Sequence, residues 1–450
     1  VQRNAKLARY LPRLGWEVDV VTGPGSPDYS WAPIDETMQD DASPAVRVHR
    51  LPSPEPGFST GWRDRAERWL FLQSRWQRWW EEAVSSCALD VGRNADLVYA
   101  SIAPYTTARA ALRTARLLRK PLVIDLEDPW ALDEMMIYPT GLHRRVELRR
   151  MRNALASADG VVMNTPEAEA RVRARFPEVA PGYVTAIPNG YDAADFAGPV
   201  PPPSEIVRIV HAGSLHTDFA LRHRRLRPLR RLLGGAEPGL ELLTRSHVFV
   251  LEAIRALLRE RPELVSRIEL HLVGALSDAD RAALGDAPFV IEHGFVSHGR
   301  AVELMRSASL LFLPMHDLPE GRRVAIVPCK AYEYLAARRP ILAAVPDGDA
   351  RDLLSEAGNA YLCRPADVGA MKDAIADTIA RSESGIEAPA PNSSLLERLE
   401  RGRLTADLAS FLERVIGGNA AALSCAASST AHTTSATAGH TTLFADGRAF

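Results

Sequence analysis

The chain has 450 residues, 46% hydrophobic and 24% charged, which excludes collagen-like, disulfide-scaffold and wholly disordered classes and suits two or three packed domains. Fifty-four basic residues against 56 acidic ones leave a net charge of −2, so nothing global draws the chain to nucleic acid. No stretch approaches the roughly 20 uninterrupted apolar residues of a membrane span. The four cysteines (Cys87, Cys329, Cys363 and Cys425) form no C-x-x-C pair, which argues against a zinc site and fits a reducing compartment.

Residues 2–14 pattern as an amphipathic helix with Leu7, Tyr10, Leu11 and Leu14 on one face. Gly15 ends it, and a strand, WEVDVVTG, follows. A chain that opens inside a helix and then alternates strand with helix is expected to lack a first strand and glycine-rich turn ahead of Val1. Strand-like runs at 18–22, 46–51, 96–102, 121–126, 160–165 and 183–189 alternate with helical patterns at 62–86, 106–119, 143–157 and 166–175. That alternation is the signature of a parallel sheet covered on both faces. Residues 62–80 hold five tryptophans interleaved with arginine, and Trp62, Trp69 and Trp76, seven apart, are expected on one helix face. Such a helix suits a lipid headgroup layer, a lid packed on the domain, or a subunit contact.

GPVPPPSE at 198–205 reads as an interdomain linker, because its prolines exclude helix and central strand. The alternation then restarts, with strands at 207–213, 268–274, 289–296, 309–314, 340–346 and 359–365 and helices near 246–260, 278–284, 299–307, 328–337, 349–357 and 367–381. A last helix near 394–415 follows a Pro-rich spacer. Residues 417–450 are mostly Ala, Ser and Thr, and are expected to be a disordered tail that cannot bury enough apolar area to offset its ordering entropy. The expected organisation is a domain over 1–198, a linker over 199–205, a second domain over 206–385, a helix within 386–416 and the tail. The fold class is α/β, with two Rossmann-like doubly wound domains facing a cleft. In such sheets ligands sit beyond the carboxyl ends of the strands.

Four segments, in order, carry a resemblance. VQRNAKLARYLPRLGWEVDVVT (1–22) resembles the first helix and second strand of the retaining family-4 (group 1) glycosyltransferases. IPNGYDAADF (187–196) resembles the segment that closes their N-terminal domain. VHAGSL (210–215) resembles the opening strand and loop of their donor domain, and PCKAYEYLAARRPILAA (328–344) their P-x-K-x-x-E helix and strand. The resemblance implies the GT-B fold and transfer of a sugar from a nucleotide-sugar donor to an acceptor hydroxyl, with retained anomeric configuration.

Within that frame the residues acquire expected roles. A carboxylate at Glu333 can accept hydrogen bonds from two adjacent ribose hydroxyls; the resemblance implies that role, and stabilisation of a helix N-terminus is the alternative. Lys330, three residues earlier and one of only four lysines, is expected on the same helix face, where it would stabilise a departing diphosphate unless it simply reaches solvent. Gly213 and Ser214 follow a strand, where backbone N–H groups can approach a phosphate, or form an ordinary turn. By resemblance Gly294 and Phe295 border the base, a packed core Phe being the rival reading.

RHRRLRPLRR (222–231) supplies Arg222 and Arg225 as candidate diphosphate contacts, within a segment (217–245) that reads as an insertion and is otherwise a solvated basic loop. Asp128, in DLEDPW (125–130), could meet donor sugar or acceptor, or cap a helix that begins at Pro129. Glu127 stands where the resembling segment has Arg. A second glutamate often lies eight residues before the ribose glutamate, on the sugar half of the donor; here that position is Ala325.

Lys330, Asp128 and Arg222 are thus the candidate catalytic groups, and Gly213, Ser214, Arg225, Gly294, Phe295, Lys330 and Glu333 the candidate donor contacts. Fixed positive charge and backbone donors can replace a bound metal, so neither metal nor cofactor is expected, and the nucleotide sugar is a substrate. The acceptor is a glycan, a lipid-linked group or a small molecule. No nucleic-acid partner is expected, and the location implied is cytoplasmic, with the 62–80 helix as a peripheral contact on the inner membrane face. A nucleotide-sugar epimerase of the same fold and a non-catalytic nucleotide-sugar-binding protein are the rival readings.

Overall fold

The computed structural model describes residues 2–24, 43–52, 62–179, 183–199, 201, 205–427 and 440–444. The chain forms two compact units. One comprises 1–133, 142–189 and 401–450, the other 134–141 and 190–400. Much of the expected linker lies outside the described residues.

The first unit contains strands β1 (Glu17–Thr22), β2 (Arg47–Arg50), β3 (Leu97–Ser101), β4 (Leu122–Leu126), β5 (Gly160–Met163) and β6 (Val184–Ala186). The second contains β7 (Val207–Ala212), β8 (Ile268–Val273), β9 (Val290–Gly294), β10 (Leu310–Pro314), β11 (Ile341–Ala344) and β12 (Ala360–Cys363). The helix Arg401–Ala427 then returns to the first unit, followed by β13 (His440–Phe444).

The tail therefore differs from expectation. Residues 417–427 continue the last helix, and β13 lies between β1 and β3 in an all-parallel sheet of order β2-β1-β13-β3-β4-β5-β6. Composition misled here because a central strand needs little bulk of its own. The facing edges of β1 and β3 each present a row of backbone donors and acceptors, and a short run with β-forming Thr, Leu and Phe completes both ladders at once.

The second unit's sheet runs β12-β11-β10-β7-β8-β9, all parallel. Its four central strands are buried on both faces, so alternate residues feed opposite cores. Val210, Leu311, Leu313 and Ile341 belong to one cluster, Ile209, Leu310, Phe312 and Leu342 to the other. Strand order reverses at the β7–β10 pair, which makes the carboxyl ends of these two strands the topological switch point, where ligands bind in open α/β sheets.

The 62–86 pattern is two helices, Trp62–Trp69 and Arg75–Val91. Phe71 at φ 60 turns the chain between them, and Ser74 caps the second through the Gln77 amide. Trp62, Trp69 and Trp76 thus do not share a face. Trp76 and Trp80 are buried in the second helix, with rings stacked 5.4 Å apart, whereas Trp62 and Trp69 are exposed.

Candidate active site

Three glycines line the carboxyl edge of the second unit's sheet. Gly213 follows β7 with φ 114, Gly274 follows β8 with φ 141, and Gly294 ends β9 with φ 66. Their backbones interlock: the Gly213 amide donates to the Val273 carbonyl at 2.7 Å, and the Gly274 amide donates to the Gly294 carbonyl at 2.8 Å. A Cβ at Gly274 would stand 2.9 Å from the Gly213 oxygen, so this close approach requires glycine.

Lys330 enters this edge from the helix Cys329–Ala336. The helix is tied to β7 because the buried Tyr334 hydroxyl accepts the Ala212 amide at 2.8 Å. The Lys330 ammonium lies 3.3 Å from His211 Nε2, while His211 Nδ1 lies 3.0 Å from the Phe312 carbonyl of β10. Nδ1 therefore carries the ring hydrogen and Nε2 accepts from the lysine. Burial and Lys330 hold His211 neutral, well below the usual imidazole range. Burial and neighbouring Arg245 push Lys330 down to about 7, with Glu333 pulling the other way. His216, on the same loop as Gly213, is pushed down to about 3 by burial and then by Arg245 and Lys330. The site is thus a crowded cluster of basic groups at the switch point.

Glu333 is half-buried on the Lys330 helix, 3.8 Å from His298 Nδ1, and His298 Nε2 meets Asp195 at 3.3 Å. Ser214 is exposed beside Gly213. Phe295 is 48% exposed after Gly294, which removes the packed-core reading of that ring.

The remaining candidates fall elsewhere. The segment taken as a basic loop is a 17-residue helix, Thr217–Leu233. On it Arg222 is held by Asp218, one turn back, and Arg225 is exposed. The cation beside Lys330 is instead Arg245, whose Nη1 donates to Met135 Sδ at 3.0 Å. Asp128 lies in the first unit, exposed beyond β4; the chain there forms a short 3-10 turn, Trp130–Leu132, in place of a helix beginning at Pro129. Glu127 is held by Ser101 Oγ at 3.0 Å and Asn4 Nδ2 at 3.3 Å. Among the described residues no group of three or more His, Cys, Asp or Glu is arranged to hold a metal ion.

Residues 1–190 match the model of a glycosyl transferase 4-like domain, and residues 242–381 match that of glycosyl transferases group 1. No curated protein matches. Among solved structures, sucrose-phosphate synthase from Thermosynechococcus elongatus is 15% identical with a TM-score of 0.59, covering 92% of each chain. HepE of Anabaena, in complex with UDP and glucose, is 15% identical with a TM-score of 0.54, covering 88% of this chain and 99% of its own. An E. coli trehalose-6-phosphate structure bound with UDP-2-fluoro glucose is 13% identical with a TM-score of 0.55, covering 91% and 95%. These likenesses establish two Rossmann-like domains of the GT-B type.

Proposed function

We propose a division of labour for a chain that belongs to the group 1 glycosyltransferases, takes their GT-B fold and transfers a sugar from a nucleotide-sugar donor to an acceptor: Lys330, Arg245 and the Gly213–Ser214 backbone hold the donor's diphosphate, and Glu333 holds its ribose. The observation that carries this reading is the position of Lys330, packed against Gly213 at the β7–β10 switch point. Two cations beside the Gly213–Ser214 turn supply charge where a diphosphate becomes a leaving group, which is electrostatic stabilisation of the transition state. The bond from sugar C1 to the phosphate oxygen breaks, the acceptor oxygen bonds C1 with retained configuration, and the acceptor proton leaves with the diphosphate. Charge stabilisation of this kind proceeds without a metal. Gly294, which ends β9, and the exposed Phe295 after it are the contacts assigned to the base.

The exposed apolar residues of the first unit support peripheral contact with a membrane surface. Trp62, Trp69, Leu70, Leu72 and Leu142 are exposed. Residues 69–71 rest on the helix Gly141–Leu155, through ring contacts of Trp69 and Phe71 with His143 and a bond from Arg150 to the Phe71 carbonyl. Arg145 and Arg149 are exposed on the same helix, and Arg75 is exposed at the start of the helix Arg75–Val91. Tryptophan, leucine and arginine together suit an anionic headgroup layer. No helix among the described residues is long and apolar enough to cross a membrane.

Incubation with a panel of labelled nucleotide sugars and candidate acceptors tests the reaction. Transfer, or slow donor hydrolysis, that disappears in Lys330→Met is expected. Interconversion of sugar isomers, or binding without turnover, would overturn it.

A further inference from the structure

His316 lies two residues beyond β10, on the other side of the switch point from Gly213. It is fully buried, and its Nε2 is 3.3 Å from Oε1 of Glu134, itself only 2% exposed. The same oxygen accepts the Ala325 amide at 3.2 Å. An oxygen already receiving an N–H is acting as an acceptor, so His316 Nε2 is the nitrogen that carries the ring hydrogen. Nδ1 is left as an acceptor. It is buried, and it meets no hydrogen-bond partner among the described residues. A polar atom in that state costs free energy unless a ligand satisfies it.

The surroundings narrow the ligand. Met135, next to Glu134, takes the hydrogen bond from Arg245, and Arg245 and His216 both lie within electrostatic reach of His316. Arg245 is thus bonded to the residue next to Glu134, which sets the pair beside the basic cluster. A diphosphate at neutral pH offers no hydrogen to an acceptor nitrogen, whereas a sugar offers hydroxyls. Ala325, whose side chain carries no polar group, contributes only its amide here, and Glu134 brings a carboxylate to it from 191 residues away in sequence.

We propose that His316, oriented by Glu134, accepts a hydrogen bond from a hydroxyl of the sugar being transferred, and so sets which sugar the enzyme uses. Glu134 is a positioning residue: it fixes the tautomer that leaves Nδ1 open. The assignment rests on the nucleotide-sugar reading above. A site built to bond a hydroxyl discriminates steeply against ligands that cannot supply it.

The test measures binding of a nucleoside diphosphate and of its hexose conjugates to the full chain, with His316→Phe, Glu134→Leu and Glu134→Gln. Glu134→Leu removes the acceptor that fixes the ring hydrogen on Nε2, whereas in Glu134→Gln the amide oxygen can replace Oε1 and keep both the Ala325 bond and the tautomer. His316→Phe and Glu134→Leu are expected to bind the diphosphate as wild type does and to lose at least about 10-fold in affinity for the conjugate, and Glu134→Gln to bind both ligands as wild type does. Imidazole nitrogen NMR is expected to show the Nε2-protonated tautomer in wild type and Glu134→Gln and its loss in Glu134→Leu. Unchanged conjugate binding in His316→Phe and Glu134→Leu would overturn the assignment. Equal weakening for both ligands would also overturn it, because the pair would then only support the fold. Failure of the wild type to bind any nucleoside diphosphate would instead remove the nucleotide reading, and this assignment with it.

Discussion

A Cβ on Gly213 would stand 2.9 Å from the Lys330 ammonium nitrogen. The backbone at φ 114 is also one that side chains rarely adopt. Gly213→Ala must therefore shift both the loop and the lysine. The expected outcome is a loss of nucleoside diphosphate affinity of about 10-fold or more, the equivalent of ~1.4 kcal/mol, together with a lower melting temperature from the backbone strain. Calorimetric titration alongside thermal unfolding checks this.

Lys330 also sets a pH dependence. Its pKa of about 7 in the empty site lies below the ordinary lysine value of 10.5. The folded, empty protein therefore binds fewer protons than the unfolded chain between those values, and stability gains from this group as pH rises from 7 toward 10.5. A bound diphosphate favours the ammonium and raises that pKa. Binding should take up a proton at pH 8 and weaken as pH climbs above about 7. Titrations in buffers of different ionisation enthalpy measure the uptake, and Lys330→Met should abolish it.

Tyr334 ties the helix bearing Lys330 to the end of β7 through the Ala212 amide. Tyr334→Phe leaves that buried amide without its acceptor, at a cost of about 1–3 kcal/mol. Denaturant unfolding should show this loss, accompanied by weaker diphosphate binding as the helix loosens from the strand.

Strand β13 pairs on both sides, Thr442 opposite Asp19 in β1 and Val98 in β3. Proline at 442 removes an amide from the middle of the sheet, where proline is not tolerated. Thr442→Pro is expected to lower stability by at least about 1–3 kcal/mol and to increase amide exchange in β1 and β3. Unchanged exchange there would show that β13 contributes nothing to the sheet.

Peripheral docking predicts sedimentation with vesicles containing anionic lipid, weakened by salt. Leu70→Ser with Leu72→Ser should reduce that binding without lowering stability, since both side chains are exposed.

What could be read in advance follows from how local each signal is. The helix carrying Lys330 and Glu333 and the strands flanking it were legible because period, glycine and motif lie within one short segment. Arg245 was not, because the long helix Thr217–Leu233 separates it from the Gly213 loop and only folding brings it to Lys330. Glu134 and His316 carry no motif; 182 residues separate them, and the stretch 134–141 leaves its sequence neighbours to join the second unit. The tryptophan pattern failed at Phe71, whose left-handed turn no periodicity foretells. β13 was hidden by its bland composition, since its place depends on the strands either side of it.

The most direct measurement of the central claim is calorimetric titration of UDP, GDP and ADP into wild type, Glu333→Ala and Lys330→Met. At least one nucleotide should bind wild type, and each substitution should weaken it by about 10-fold or more, the scale of a lost charge-assisted contact. Wild-type affinity in both variants would contradict the account.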